Sequence, residues 1–198
     1  MAASRLLLAS RSATRQHMLR AAGVPFETVD ALFDEEAAKA AWLAEGVSPR
    51  ELAARLAEGK ALSVASDGLI LGADQVLERD DGSTLSKPGS RDEAKAQLLG
   101  LAGRVHHLHS AAAIVENGAT IWNHIETVAL QMRPLGDAFL EEYLDREYEA
   151  IRWSVGGYRI EGPGAQLFEK IEGSHFAILG LPLLPLFAWL RERSILPS

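Results

Sequence analysis

Apolar positions recur along the chain in two periods, and the switches between them divide it into elements. Leu6-Leu7-Leu8-Ala9 is a short continuous apolar run that stops at Ser10-Arg11-Ser12, which predicts a buried strand feeding into a turn. Helical spacing follows, with Met18, Leu19 and Ala22 apolar, Ser12 as N-cap, and Gly23 then Pro25 as the stop. Ser48-Pro49-Arg50-Glu51 announces a second helix by a cap, a proline at its first position and the glutamate of a capping box. Leu52 and Leu56 form its apolar stripe, and Lys60 continues that stripe at the next i+4 position. Leu69–Leu77 reads as a buried strand interrupted by Asp74. Ser90-Arg91-Asp92-Glu93 is another capping box, with Ala94, Leu98 and Leu101 on one face. Val105–Val115 and Ala119–Met132 flank Glu116-Asn117-Gly118, and the Asn-Gly pair predicts a two-stranded antiparallel hairpin. Asp137 is a candidate cap for a helix holding Phe139, Leu140, Tyr143 and Leu144, and Leu183–Leu190 reads as a last helix. Strands alternating with helices, plus one long hairpin and no repeat or linker, predict one α/β domain with a mixed sheet over residues 1–198.

Composition narrows the function classes. With 198 residues, 47% of them hydrophobic and 24% charged, the chain can bury roughly 70% of its unfolded surface in one core without metal staples or disulfides. It has no cysteine, which excludes a disulfide scaffold, a thiol nucleophile, a thiolate zinc site and an iron–sulfur cluster, and favours a cytoplasmic location. Twenty basic against 27 acidic residues give a net charge of −7, so a nucleic-acid footprint is not expected and an anionic ligand needs local positive charge. Residues 1–26 carry four arginines and no acid, as a transit peptide does, but Leu6–Ala9 fits a buried strand better than an amphipathic leader. The uncharged run from Phe176 to Leu190 is broken by Gly180, Pro182 and Pro185 and is too short to span a membrane, so it reads as core and a helix start.

Three groups of residues are candidates for chemistry. At the corner of Ser10, Ser12 and Arg15, a helix start, two hydroxyls and a guanidinium suit phosphate oxygens; alternatively Ser12 only caps and Arg15 is solvated. Asp74 lies in Gly72-Ala73-Asp74-Gln75, where a carboxylate in an apolar run costs several kcal/mol unless it is paired or metal-bound. Asp34-Glu35-Glu36 could add oxygen ligands for Mg²⁺ or Mn²⁺ beside Asp74, or form a solvated loop. Lys60, and Lys87 within Ser86-Lys87-Pro88, are cations placed where a cleft could use them. His107 and His109 share a strand face and His106 points away, which fits half-buried strand histidines better than a metal site. No glycine-rich dinucleotide turn, phosphate loop or Gly-x-Ser-x-Gly elbow is present, which weighs against dehydrogenases, P-loop NTPases and serine hydrolases.

Taken in order, Leu-Ala-Ser10-Arg-Ser12-Ala-Thr-Arg15, Asp34-Glu35, Leu-Ala-Glu-Gly-Lys60-Ala, Gly-Ala-Asp74-Gln, Ser-Lys87-Pro, Gly-Arg104-Val-His106, Tyr158-Arg-Ile-Glu161-Gly and Gly180-Leu-Pro-Leu resemble the Maf family of nucleotide pyrophosphatases across nearly the whole chain. The resemblance implies an elongated mixed-sheet α/β fold with a central cleft, related to the inosine triphosphate pyrophosphatases and often a homodimer. It implies hydrolysis of a nucleoside triphosphate to the monophosphate and pyrophosphate with a divalent cation. Asp74 would then accept the proton, Ser10, Ser12, Arg15, Lys60 and Lys87 would bind the triphosphate, and Glu35 with Asp74 would hold the metal.

The chain departs from the commonest family pattern at three places that bear on specificity. Members favouring uridine or thymidine triphosphate read Ser-Pro-Arg-Arg where this chain has Ser12-Ala13-Thr14-Arg15, a threonine where it has Gln75, and Gln-Gly where it has Glu161-Gly162. The 7-methyl-GTP branch of the family is similar at Gln75 and Glu161. A carboxylate only accepts, so it suits the adjacent N1–H and 2-amino donors of guanine and not the acceptor–donor–acceptor edge of uracil. The expectation is a 7-methyl-GTP-type substrate, with Glu161 on the base unless it faces solvent or Arg159. Alternatives are a dTTP/UTP pyrophosphatase, a binding protein that restrains cell division, and a nucleotidyl transferase using the same phosphate site.

Overall fold

The computed structural model describes residues 5–197. The leader-like composition of residues 1–26 therefore falls partly, at Met1–Ser4, outside the described residues. The sheet is mixed, as the alternation of elements predicts. Its strand order is β2-β1-β3-β5-β6-β7, with β4 paired to β3, and the strands are β1 Leu6–Ala9, β2 Glu27–Thr28, β3 Leu69–Glu78, β4 Thr84–Leu85, β5 Val105–Glu116, β6 Ala119–Met132 and β7 Phe168–Glu172. β1 runs parallel to β2 and β3, whereas β4 and β7 pair antiparallel with β3 and β6. Among the described residues seven α-helices accompany it: α1 Ala13–Ala21, α2 Glu35–Ala44, α3 Pro49–Leu62, α4 Arg91–Leu101, α5 Asp137–Ile151, α6 His175–Ile178 and α7 Leu183–Glu192. None of the described helices is long and apolar enough to cross a membrane.

The chain divides into two compact units. The first holds the chain up to Gln75, His109–Glu126, and the chain from Ser174 onward. In it, Leu6 and Leu8 of β1, Leu69, Leu71 and Ala73 of β3, and Ala112 and Ile114 of β5 share a core with Met18 and Leu19 of α1 and with Leu183, Leu186, Trp189 and Leu190 of α7. The period of two sends Ala9, Ile70 and Val115 to the opposite face, where they pack with Ala61 of α3. Asp74 follows Ile70 and Gly72 in that alternation, so it points to the α3 side of the strand.

Local signals set the helices. Ser12, Ser48 and Ser90 each accept from the amide three residues on, at 3.3, 3.2 and 3.1 Å. The box at Ser90 closes differently from the expected form, because Glu93 accepts from the Gly89 amide at 2.6 Å. Asp137 is not a cap: Gly136 occupies that position without a side-chain bond, and Asp137 lies in the first turn as a charge favoured by the helix dipole. Ala22 ends α1 exposed, outside the core. α2 is an addition to the sequence reading. Asp34 accepts from the Ala37 amide at 3.0 Å and starts a helix through an alanine-rich segment, so the acidic triplet is a capped helix start and not a loop.

The second unit, Val76–Leu108 and Thr127–Gly173, contains α4 and α5, the paired ends of β6 and β7, and two short 3₁₀ turns at Val155–Gly157 and Pro163–Leu167. Arg91 and Lys95 of α4 both bond Glu141 of α5, at 2.7 and 2.5 Å. The hairpin turn between β5 and β6 has φ of 52° at Asn117 and 76° at Gly118, the positive pair that an Asn-Gly turn supplies.

Candidate functional site

The centre of the site in the first unit is an ion triad. Lys60 Nζ lies 3.0 Å from Asp74 Oδ1 and 2.7 Å from Glu35 Oε2. The side chains of Lys60 and Asp74 are 13% and 9% exposed, so the strand carboxylate is paired and its burial is offset. Two glycines bring the three together. A Cβ on Gly72 would overlap the Ala57 carbonyl oxygen and lie 2.9 Å from the Ala61 nitrogen, so β3 and α3 touch backbone to backbone beside Lys60. A Cβ on Gly59 would lie 2.7 Å from two ring carbons of Phe33; that ring packs on α3 one residue before Lys60 and carries Glu35 in with it.

Arg15 forms the second part. It is 9% exposed, which corrects the alternative that it is solvated. Its Nε donates to the Gly180 carbonyl at 2.7 Å, and its Nη1 donates to the Ala73 carbonyl at 3.0 Å and to Ser10 Oγ at 3.3 Å. Burial pushes the guanidinium below the usual arginine range, opposed by the charges of Asp74 and Glu35. Ser10 Oγ also accepts from the Ser12 amide at 3.3 Å. The corner is thus built by its own hydroxyls, and Ser12 serves as the cap of α1. Thr14 is half-buried in the first turn of α1.

Gln75 is tied down. Its Nε2 lies 2.9 Å from Ser110 Oγ and 2.9 and 3.0 Å from the carbonyls of Ala177 and Ile178, and Ser110 donates its own proton to Ala177 at 2.5 Å. The amide therefore fastens β3 to α6. Sequence reasoning missed the carbonyls of Ala73 and Gly180 as acceptors for Arg15. The available signal was Gly180-Leu-Pro-Leu, a motif that had no chemical role until its carbonyl met the guanidinium.

Two predicted residues lie in the second unit. Lys87 is exposed in the loop after β4, beside a buried Pro88, and enters no hydrogen bond or ion pair with the described residues. Glu161 is exposed between the two 3₁₀ turns and is likewise unpaired among the described residues. Arg159 is not its partner, since its Nη2 donates to Glu147 Oε2 of α5 at 3.1 Å. The histidines are more buried than expected: His106 and His109 are 0% and 4% exposed. His106 Nε2 shares a 2.8 Å hydrogen bond with the Tyr158 hydroxyl, which joins two motifs that the sequence only placed in order.

A family model described as Maf-like protein matches residues 5–193. A nucleoside triphosphate pyrophosphatase of Caulobacter vibrioides is 50% identical over 186 residues, covering 93% of each chain. One of Sphingopyxis alaskensis is 48% identical, covering 98% of this chain and 99% of its own. One of Rhodospirillum rubrum is 46% identical, covering 98% and 96%. With a family match reaching from Arg5 to Arg193 and relatives close to half identical over nearly their whole length, the chain belongs to the Maf-like protein family.

Proposed function

We propose that the chain is a nucleoside triphosphate pyrophosphatase that opens the α–β phosphate bond with water. The observation that carries this reading is Lys60 held between Asp74 and Glu35 beside the buried guanidinium of Arg15. Two carboxylates and two cations in one place can treat both ends of the reaction, the water to be deprotonated and the pyrophosphate to be released. Asp74 takes the proton of the water that attacks the α-phosphorus, while the bond from that phosphorus to the bridging oxygen breaks and pyrophosphate leaves with its electrons. Lys60 exchanges carboxylates for phosphate oxygens as the anion enters. Arg15 is already fixed through Nε and Nη1 and offers Nη2, with Ser10 and Ser12 supplying the corner that holds it. Lys87 is assigned to the phosphates on the strength of its motif alone.

The residues fit a divalent cation shared with substrate. No three of the described His, Asp or Glu side chains cluster as a metal cage, but Mg²⁺ is commonly held by one or two carboxylates with phosphate and water completing its shell. Asp74 and Glu35 are those two carboxylates. Bound there, the cation would withdraw charge from phosphate oxygens and acidify coordinated water.

For the base, we read Glu161 as the acceptor for a guanine-type edge, with 7-methyl-GTP as the favoured class. Its exposure and its freedom from Arg159 support this. Gln75 contributes by holding α6, because both N–H groups of its amide face protein oxygens. Pyrophosphate release with Mg²⁺ or Mn²⁺ over GTP, 7-methyl-GTP, UTP, dTTP, 5-methyl-UTP and ITP tests both statements. Release from a subset is expected, with Asp74→Asn lower by about 100-fold or more. No release from any of them, or equal release by Asp74→Asn, would overturn the enzyme reading. Glu161→Gln with unchanged relative rates for 7-methyl-GTP and UTP would overturn the base reading alone.

A further inference from the structure

The loop that carries Glu161 is anchored on α5 at two points one helical turn apart. Tyr143 donates its hydroxyl to the Gly157 carbonyl at 3.3 Å, and Glu147 accepts from Arg159 at 3.1 Å. The Glu147 side chain is 12% exposed and that of Arg159 37%, so the acid is the fixed partner and the guanidinium the one that could move. Arg159 Nε is buried without a hydrogen-bond partner. The segment is also tightly folded, since a Cβ on Gly164 would overlap the Arg159 carbonyl oxygen and lie 2.9 Å from its nitrogen. A Cβ on Gly162, the residue directly after Glu161, would lie 3.8 Å from Arg159 Nη2 and 3.9 Å from Glu147 Oε2.

We infer that Glu147 is a positioning residue for base selection: by holding Arg159 it keeps the Glu161 carboxylate free to accept from a base. This rests on the reading of Glu161 given above. Three charges, two negative and one positive, are confined to one turn and its supporting helix, and Arg159 as placed directs its Nη2 to Glu147. While Glu147 is present, the less exposed carboxylate wins, because leaving it unpaired costs more than leaving the exposed Glu161 in water. Without Glu147, the nearest acid along the chain is Glu161. Pairing there occupies the acceptor edge that a guanine-type base requires.

The test compares wild type with Glu147→Ala, Arg159→Ala, the double variant Glu147→Ala/Arg159→Ala, and Glu161→Gln, reading kcat and KM separately for 7-methyl-GTP and UTP. Glu147→Ala is expected to lower the kcat/KM ratio of 7-methyl-GTP to UTP by about tenfold, through KM for 7-methyl-GTP with kcat retained. The double variant is expected to restore the ratio, because the interfering cation is gone; a merely structural role for Glu147 predicts no such rescue. A crystal structure of Glu147→Ala is expected to show Arg159 on Glu161. An unchanged ratio in Glu147→Ala beside a changed one in Glu161→Gln overturns this inference alone, whereas an unchanged ratio in Glu161→Gln removes the base reading and this inference with it. Failure of the double variant to restore the ratio, or Arg159 found away from Glu161 in that crystal, also overturns it. Should Glu147→Ala not fold, Glu147→Leu, which keeps side-chain volume but offers Arg159 no acceptor, carries the same expectations.

Discussion

Arg15 and Gly180, 165 residues apart, are joined by a 2.7 Å hydrogen bond from the guanidinium Nε to the glycine carbonyl. The carbonyl can face the arginine because Gly180 sits at φ +95°, and a Cβ there would stand 3.3 Å from both Nε and Nη2. Arg15, proposed above as a phosphate contact, is thereby oriented by the last loop before α7.

Gly180→Ala is expected to cost about 1–2 kcal/mol of stability from the left-handed backbone alone. It should also lower kcat/KM by about tenfold or more, because it crowds a group whose placement matters to the reaction. Urea unfolding and pyrophosphate release measure the two effects, and wild-type values in both would show that Arg15 does not depend on this glycine.

The Lys60–Asp74 pair should behave as a coupled unit. Lys60→Met strands a carboxylate that is 6% exposed and is expected to destabilise by about 3 kcal/mol. Adding Asp74→Asn removes the stranded charge, so the double variant should be more stable than the sum of the singles by about 1–2 kcal/mol. Strict additivity in denaturant unfolding would argue that the two groups do not share a charge balance.

His106 gives a pH signature. Burial, with His107 adding repulsion, holds its imidazole at about 4 against an ordinary value of 6.5. The unfolded chain therefore binds this proton more readily. The contribution is fully present above pH 6.5 and is lost as pH falls from 6.5 towards 4, amounting to about 3 kcal/mol at the lower end. Stability of His106→Gln should start lower at pH 7 but fall less steeply over that window. Parallel curves for the two proteins in thermal unfolding at fixed pH steps would contradict this.

Gly72→Ala should be the most damaging single-methyl change in the first unit. The added carbon overlaps the Ala57 carbonyl and forces α3 away from β3, at a cost of about 3 kcal/mol or more. Because the same displacement separates Lys60 from Asp74, activity should fall in whatever fraction remains folded. Retained activity at full level would mean that the helix can shift without disturbing the triad.

Several features of the site were legible in the residues because they are local. Asp74 announces itself as a carboxylate inside Leu69–Leu77, and Lys60 as a cation on the stripe of Leu52 and Leu56. What escaped was their meeting, since an i+14 ion pair requires α3 to lie on β3. α2 escaped for a different reason: an acidic triplet looks like a solvated loop until the alanines after it are weighed as helix formers. Gln75 looks like a specificity residue and Arg159 like a partner for Glu161 in sequence, yet the Gln75 amide nitrogen faces Ser110, Ala177 and Ile178 and Arg159 Nη2 donates to Glu147.

By itself the sequence determined the helix starts at Ser12, Ser48 and Ser90, the Asn117-Gly118 turn, the mixed α/β character and the ordered motifs of the family. These depend on a side chain and a backbone group a few residues away, or on the period of apolar positions, and such interactions are written in consecutive residues. Only the tertiary structure decided which charges neutralise each other. Lys60 could have faced solvent, Arg15 a phosphate alone and Arg159 Glu161. Their actual partners follow from strand register, from glycines that let backbones touch, and from the low polarity of the places where the groups are buried.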